Sequence, residues 1–311
     1  DHELKMARQA DAEMSSSKSK KKRTVRTSRS RSRVRGIDAS TVMLTGDNAA
    51  TARHIGAAVG LDADHVIAGV LPAGKEAEVR ALQKQGRVAM VGDGINDAPA
   101  LKQADIGVAM GITGTDVTKN VADMVLSDDN FATIVTAVEE GRRIYDNIRK
   151  AIQFLLASNM SEVLGVFFAT LLGFTLLNPV HLLFINLITD CFPALALGLE
   201  KGEPDTMTRP PRDSKDGIFA GGLGFDILYQ GVLITIITMT SYIIGHCMEV
   251  GYFEMPKGVS DDGMTMAFLT MSMCEIFHSF NMRSQRRSVF SLPSHNKVLW
   301  LAMIGSLLLT T

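Results

Sequence analysis

Residues 91–101 of this chain read VGDGINDAPAL. The apolar run at 87–91 is typical of a buried strand, and it leads directly into a turn in which Asp93 lies between Gly92 and Gly94. In an open α/β sheet, ligands bind beside the carboxyl ends of the strands. The sequence therefore predicts a ligand-binding turn centred on Asp93.

The sequence on both sides of this turn alternates short β-branched runs with segments suited to helices. The predicted strands are 41–44, 66–70, 87–91, 106–110 and 124–126. This rhythm predicts a parallel sheet covered by helices on both faces. Asn48 is suited to cap a helix over 49–59, and Pro72 to open one over 75–85.

A second acidic turn, Thr45-Gly46-Asp47, follows the first predicted strand. The Thr45 hydroxyl suits phosphoryl oxygens, and the Asp93 and Asp97 carboxylates suit Mg²⁺. Lys75 lies between the two turns in sequence and is expected to place a positive charge on phosphate. One such turn is usually an ordinary strand end, but two with an intervening lysine favour a phosphate site.

Three segments, 45–47, Pro72-x-x-Lys75 and 91–101, resemble the phosphorylation domain of P-type ATPases, cation pumps with a haloacid-dehalogenase-like (Rossmann-like) α/β core. The resemblance extends from about residue 37 to the end of the chain. It implies ATP as substrate of the complete protein and Mg²⁺ as cofactor. The implied roles are metal ligand for Asp93, support of the phosphate site for Asn96 and Asp97, contact with the phosphoryl group for Thr45, Gly46 and Asp47, and charge neutralisation for Lys75.

Other motifs of that family do not occur in this chain. The Asp-Lys-Thr-Gly-Thr string that carries the phosphorylated aspartate is absent, as is the dephosphorylating Thr-Gly-Glu string. No nucleotide-binding domain is recognisable, and no membrane helices precede residue 37. We therefore expect the carboxyl-terminal part of a pump, which needs a missing amino-terminal part and does not turn over ATP alone.

From residue 152 the chain becomes apolar on the scale of a membrane. Spanning helices need about 20 apolar residues each, and the predicted spans are 152–173, 179–199, 226–247 and 264–282, with an incomplete fifth at 298–311. Lys and Arg collect before the first span and after the second and fourth, which places the α/β part on the cytoplasmic side of an integral, multi-pass protein. The expected organisation is a basic tail at 1–36, part of a phosphorylation domain at 37–140, a stalk at 141–151 and a membrane domain in contact with lipid at 152–311.

Polar residues inside these spans are candidates for an ion site, because burying them in lipid is costly. They are Asn159, Glu162, Asn186, Thr189, Asp190 and Glu275. All offer oxygen ligands, which suits Ca²⁺. Cys191 is the one soft alternative, and a structural hydrogen bond or proton site is the other interpretation of the carboxylates.

Residues 157–162 and 186–190 resemble the fifth and sixth membrane helices of sarcoplasmic-reticulum-type calcium pumps, and Glu275 resembles the acidic ligand of their eighth helix. Residues 66–110 look closer to copper and heavy-metal pumps, but those have two spans after this domain. The resemblance thus implies Ca²⁺ transport out of the cytoplasm through an aspartyl-phosphate. The alternatives are a pump for Na⁺/K⁺, H⁺ or a heavy metal, and a non-catalytic remnant acting as a binding or regulatory protein.

The first 40 residues hold twelve of the 32 Lys and Arg residues. The net charge of −1 is therefore the sum of segments with very different charge. Residues 1–36 are predicted to be disordered, and no nucleic-acid partner is expected. Three cysteines without a C-x-x-C pair exclude a disulfide scaffold and favour buried apolar roles.

Overall fold

A computed structural model of the chain describes residues 40–310 except 211, 214 and 293–295. The predicted disordered tail at 1–36 lies outside these residues. The described residues form two compact units: the first ends at Glu139 and also includes Met207–Pro210, and the second comprises the rest.

The first unit contains five short strands, and four helices lie between them. The elements are β1 (Met43–Leu44), α1 (Ala49–Ala58), β2 (Val66–Ile67), α2 (Pro72–Gln83), β3 (Ala89–Gly92), α3 (Ala98–Gln103), β4 (Ile106–Met110), α4 (Asp116–Val121) and β5 (Met124–Leu126). The predicted α/β class is confirmed, because all strand pairs are parallel and each crossover contains a helix.

The strands form two sheets instead of the single sheet that the sequence predicts. β1 pairs only with β2, whereas β3, β4 and β5 form a separate sheet in that order. Val108, Met110 and Leu126 form the buried apolar core of the larger sheet. The local pattern specifies that these segments are strands, but pairing depends on contacts distant in sequence, which the pattern does not contain.

Local chemistry sets the helix ends. The Asn48 side chain accepts a 2.9 Å hydrogen bond from the amide of Thr51, which confirms it as the cap of α1. Pro72 opens α2 at a position where no backbone N–H is needed. Because α2 begins there, Lys75 lies in its first turn.

The second unit is helical. Its elements are α5 (Ala132–Leu172, which starts in the first unit), α6 (Pro179–Phe184), a π-helical segment (Ile185–Asp190), α7 (Cys191–Gly198), α8 (Leu223–Val250), α9 (Asp261–Asn281) and α10 (Lys297–Thr310). Aromatic stacking between Phe174 and Tyr242, with ring centroids 4.6 Å apart, lies in its apolar core.

Three stretches of the described chain are long and apolar enough to cross a membrane: Ala132–Leu172, Pro179–Gly198 and Ala220–Val250. They overlap the first three predicted spans, and the first stretch begins 20 residues before the predicted span at 152–173. The fourth predicted span is the helix α9, whose Asp261, Asp262, Glu275 and His278 make it less apolar than these three. The fifth is the 14-residue helix α10.

Candidate functional site

The turn after β1 is fixed by its own hydrogen bonds. Thr45 is buried, its hydroxyl donates to Oδ2 of Asp47 at 3.2 Å, and it accepts from the Asp47 amide at 3.2 Å. The carbonyl groups of Thr45 and Asp47 accept hydrogen bonds from the amides of Val70 and Gly69. These bonds attach the turn to the loop that leads into α2, which carries Lys75.

Lys75 and Asp97, 22 residues apart, form the ion pair of the first unit that best fits a phosphate site. Nζ of Lys75 lies 2.7 Å from Oδ1 of Asp97, and both side chains are largely buried. Oδ2 of Asp97 accepts from the Gly94 amide at 3.2 Å. A Cβ on Gly92 would lie 2.7 Å from the Cβ of Asp97, so this position accepts only glycine.

Asp93 and Asn96 differ from Asp97 in having uncommitted side chains. The Asp93 carbonyl accepts from the amide of Thr115 at 3.0 Å, while its carboxylate makes no hydrogen bond or ion pair with the described residues. Asn96 is exposed. Both Asp97 oxygens are engaged by Lys75 and Gly94, so Asp93 has the carboxylate that is available to a ligand.

A cluster of buried acidic side chains lies in the second unit. Glu162 of α5, Asp190 of the π-helical segment and Glu275 of α9 are at most 8% exposed. The Ser158 hydroxyl donates to Oε1 of Glu275 at 2.6 Å, and the Thr189 hydroxyl donates to Oε2 of the same residue at 2.9 Å. Hydroxyl groups from two other helical segments therefore hold both oxygens of Glu275.

Asn186 contacts both carboxylate oxygens of Glu162. Its Nδ2 lies 2.9 and 2.8 Å from the two Glu162 oxygens, and it also donates to the carbonyl of Leu182. To bind a cation, Asn186 would present its Oδ1 atom, which requires rotation of the amide. The wide π-helical turn brings Asn186, Thr189 and Asp190 toward α5 and α9.

Asp190 is the unsatisfied member of the cluster. It is 1% exposed, and neither carboxylate oxygen accepts a hydrogen bond of normal geometry from a described residue, although Ser158 and Glu275 lie beside it. None of the three carboxylates forms an ion pair with a described residue. A buried carboxylate without a positive partner is costly, so this arrangement suits a site that binds cations or protons.

The carboxylates do not converge on a single point. In the described part of the chain, no three residues among His, Cys, Asp and Glu are arranged so that they could hold one metal ion. Hydroxyl and amide groups lie between the carboxylates instead, so a cation bound here would use these groups as well.

The structure does not place Asn159 in this cluster, although the sequence predicts it there. The Asn159 side chain is exposed, and its Nδ2 donates to the carbonyl of Leu155 on the same helix. Ser158 occupies the buried face instead and was missed. Its signal was present in the sequence, because Ser158 precedes Glu162 by four residues and so lies on the same helical face.

Comparison with known families divides the chain in the same way. A model of the carboxyl terminus of cation-transporting ATPases matches residues 174–311. Two models of haloacid dehalogenase-like hydrolases match residues 24–105 and 80–138. The α/β part and the helical part thus have separate matches.

Individual relatives are transport ATPases. The chain is 44% identical over 81% of its length to calcium-transporting ATPase 1 of Bacillus cereus, and 40% identical over 78% to the endoplasmic reticulum-type calcium-transporting ATPase 3 of Arabidopsis thaliana. It is 41% identical over 73% to sodium/potassium exporting P-type ATPase 2 of Saccharomyces cerevisiae. It covers 32%, 26% and 22% of these three proteins, respectively, and so spans about a third of their length or less.

Proposed function

From the premise that this chain belongs to the P-type cation-transporting ATPases, we propose that it forms the carboxyl-terminal part of an ATP-driven Ca²⁺ pump. The membrane helices would bind the ion, and the α/β part would complete a cytoplasmic phosphorylation site. The aspartate that receives the phosphoryl group would come from sequence that is not in this chain.

The buried carboxylate cluster is the observation that carries this proposal. Glu162, Asp190 and Glu275 bring three acidic side chains into the interior of an apolar helical unit without an ion pair among the described residues. Such groups in a membrane usually mark an ion pathway. Carboxylate, hydroxyl and amide oxygens favour Ca²⁺ over soft metals, and Cys191, the one soft alternative, is exposed whereas the carboxylates are buried.

In the α/β part, Lys75 would neutralise charge on the phosphoryl group, and Asp97 would hold the ammonium group in place through their 2.7 Å ion pair. The hydroxyl of Thr45 would contact phosphoryl oxygens, with Asp47 orienting it.

Asp93 would hold Mg²⁺, which when bound neutralises phosphate oxygens. Asn96, exposed beside Asp97, would support the same site.

The test is ATP-driven uptake of ⁴⁵Ca²⁺ into sealed vesicles by the complete protein that contains this chain. We expect uptake in the wild type, its loss in Glu162→Gln and Asp190→Asn, and unchanged uptake in Thr170→Ala. The control replaces an exposed hydroxyl of α5 whose one hydrogen bond among the described residues is to the carbonyl of Val166.

Undiminished uptake in both carboxylate variants would refute the site. Uptake of ²²Na⁺ in place of Ca²⁺ would refute the ion and favour the activity named for the yeast relative. The absence of any ATP-driven transport by a well-folded complete protein would favour a non-catalytic remnant.

A further inference from the structure

Glu200, just beyond α7, forms a buried ion pair with Arg283, just beyond α9. Nη2 of Arg283 lies 3.0 Å from Oε1 of Glu200, and its Nε lies 3.1 Å from Oε2. Glu200 is 3% exposed and Arg283 is 5% exposed. This two-pronged geometry fixes both the distance and the orientation of the two groups.

Glu200 also contacts two further helices. Its Oε2 accepts from Nδ2 of Asn296 at 2.9 Å, and Oδ1 of Asn296 in turn accepts from the amide of Leu299 in α10. The Glu200 carbonyl accepts from Nδ2 of Asn147 in α5 at 2.7 Å. One residue therefore links α5, α7, α9 and α10.

A second buried pair lies three residues along the same loop. Glu203 contacts Nζ of Lys150 in α5 at 3.6 Å and accepts from the hydroxyl of Ser284 at 3.0 Å. We name Glu200, Glu203, Lys150, Arg283 and Asn296 the loop clip. Asp205, on the same loop, pairs with Arg286 at 3.2 Å, and with side chains 33% and 56% exposed this pair is more accessible than the two buried pairs.

The loop clip lies at a matched distance from the carboxylate cluster on two helices. Lys150 precedes Ser158 by eight residues on α5, and Arg283 follows Glu275 by eight residues at the end of α9. Eight residues of helix rise about 12 Å, or slightly over two turns. The loop clip therefore contacts α5 and the end of α9 about two helical turns away from the hydrogen bond between Ser158 and Glu275.

Buried ion pairs contribute little net stability, because desolvation offsets their attraction, and their best-attested use is to specify register. We propose that Glu200 is a positioning residue for cation binding. Through Arg283 it sets the separation of α5 from α9, and thereby the contact of Ser158 with Glu275. This inference rests on the proposed function, because it assigns the carboxylate cluster to the transported cation.

The test is a double-mutant cycle in the complete protein, measured as the cation concentration that half-maximally activates ATP hydrolysis. Glu200→Gln and Ser158→Ala are each expected to raise that concentration about tenfold, the effect of losing one strong hydrogen bond. If Glu200 acts through this contact, the double variant will be little worse than Ser158→Ala alone. For Glu200→Gln the maximal rate should stay within about twofold, because Glu200 touches neither the carboxylate cluster nor the phosphorylation site.

Arg283→Lys provides a second variant that keeps the charge but loses the two-pronged geometry, so it should fold and still show the weaker activation. Asp205→Asn is the matched control on the same loop and should leave the half-activating concentration unchanged. Additive effects in the cycle, or unchanged activation by Glu200→Gln, would overturn the proposal.

The cycle uses whichever cation activates the wild type. Activation by a cation other than Ca²⁺ would refute the proposed ion and still test the positioning role. If no cation activates a folded wild-type protein, both the proposed function and the positioning role fail.

Discussion

The hydroxyl of Ser158 donates a 2.6 Å hydrogen bond to Glu275, across 117 residues of sequence and from one buried helix face to another. Thr189 satisfies the second oxygen of Glu275, and Asn186 satisfies both oxygens of Glu162. Asp190, by contrast, has two buried oxygens that accept no hydrogen bond of normal geometry from a described residue. The cluster thus concentrates its unmet hydrogen-bonding capacity on a single residue.

Replacing Asp190 by asparagine should stabilise the protein and remove its cation binding. The substitution deletes a buried, unpaired charge, so the free energy of unfolding in a chelating buffer should rise by about 1–2 kcal/mol. Thermal unfolding in detergent and equilibrium binding of ⁴⁵Ca²⁺ measure the two effects. Asp226→Asn, at an exposed position in the first turn of α8, is the control and should leave binding intact. A lower melting temperature for Asp190→Asn would contradict this account.

Lys75→Met should impair phosphorylation far more than stability. The substitution removes the ammonium group held 2.7 Å from Asp97, and a preorganised charge on a transferred phosphoryl group is worth about a hundredfold or more in rate. Incorporation of ³²P from inorganic phosphate into the complete protein measures this effect.

Arg80→Ala is the control for Lys75, because Arg80 lies on the same helix in an exposed pair with Glu76. Its loss should cost about 0.5 kcal/mol or less and leave phosphorylation unchanged. Equal loss of phosphorylation in both variants would show that disruption of α2, rather than the Lys75 charge, is responsible.

Gly245→Ala should loosen the packing of α8 against α9. A Cβ at this position would lie 2.8 Å from the Asp262 carbonyl oxygen and 2.9 Å from the Gly263 Cα, and neither backbone atom can move aside easily. Overpacking of this kind costs about 1–3 kcal/mol. Gly224→Ala, on the same helix with no atom within 4 Å, should be neutral or slightly stabilising. Thermal unfolding in detergent measures this difference. Equal melting temperatures for the two variants would refute the prediction.

Asp105 should make the start of β4 sensitive to acid. The backbone amide of Val88 and then the side chain of Gln83 donate to its carboxylate and lower its pKa. A lowered pKa in the folded state means that the stabilisation is present above the unfolded-state pKa and is lost as pH falls through the folded value.

Hydrogen exchange at the Val88 amide, corrected for the intrinsic rate, measures the Asp105 effect. Protection should fall toward acid pH in the wild type and be weak at every pH in Asp105→Asn. Because Asp105 is exposed, the difference should be below about 1 kcal/mol. Equal protection in the two proteins would exclude this role.

Much of the α/β part could be predicted because its signals are local. Strand β4 at Ile106–Met110 and strand β5 at Met124–Leu126 occupy the predicted residues, and Asn48 caps α1 as expected. The separation of β1 and β2 from the other three strands could not be predicted, because no local pattern states which strand edges pair.

The carboxylate cluster was only partly predictable, for a geometric reason. Ser158 lies about 40° to one side of Glu162 around the helix and Asn159 about 60° to the other side, so the two side chains point about 100° apart. Ser158 therefore shares the buried face of Glu162, while Asn159 turns outward to bond Leu155. The loop clip could not be predicted, because Glu200 and Arg283 are 83 positions apart in sequence and meet only in the folded protein.

The π-helical segment Ile185–Asp190 also accommodates one extra residue without changing the rotational phase of the helix that follows it. A π turn holds one more residue than an α turn, so it acts as a built-in insertion. Removing one residue there would convert the π turn into an ordinary α turn and leave Cys191–Gly198 near its present rotation, because the wide turn already absorbs the extra residue. The contact of the Ala196 carbonyl with Asn296 would persist, whereas Asn186, Thr189 and Asp190 would lose the wide turn that directs them toward α5 and α9.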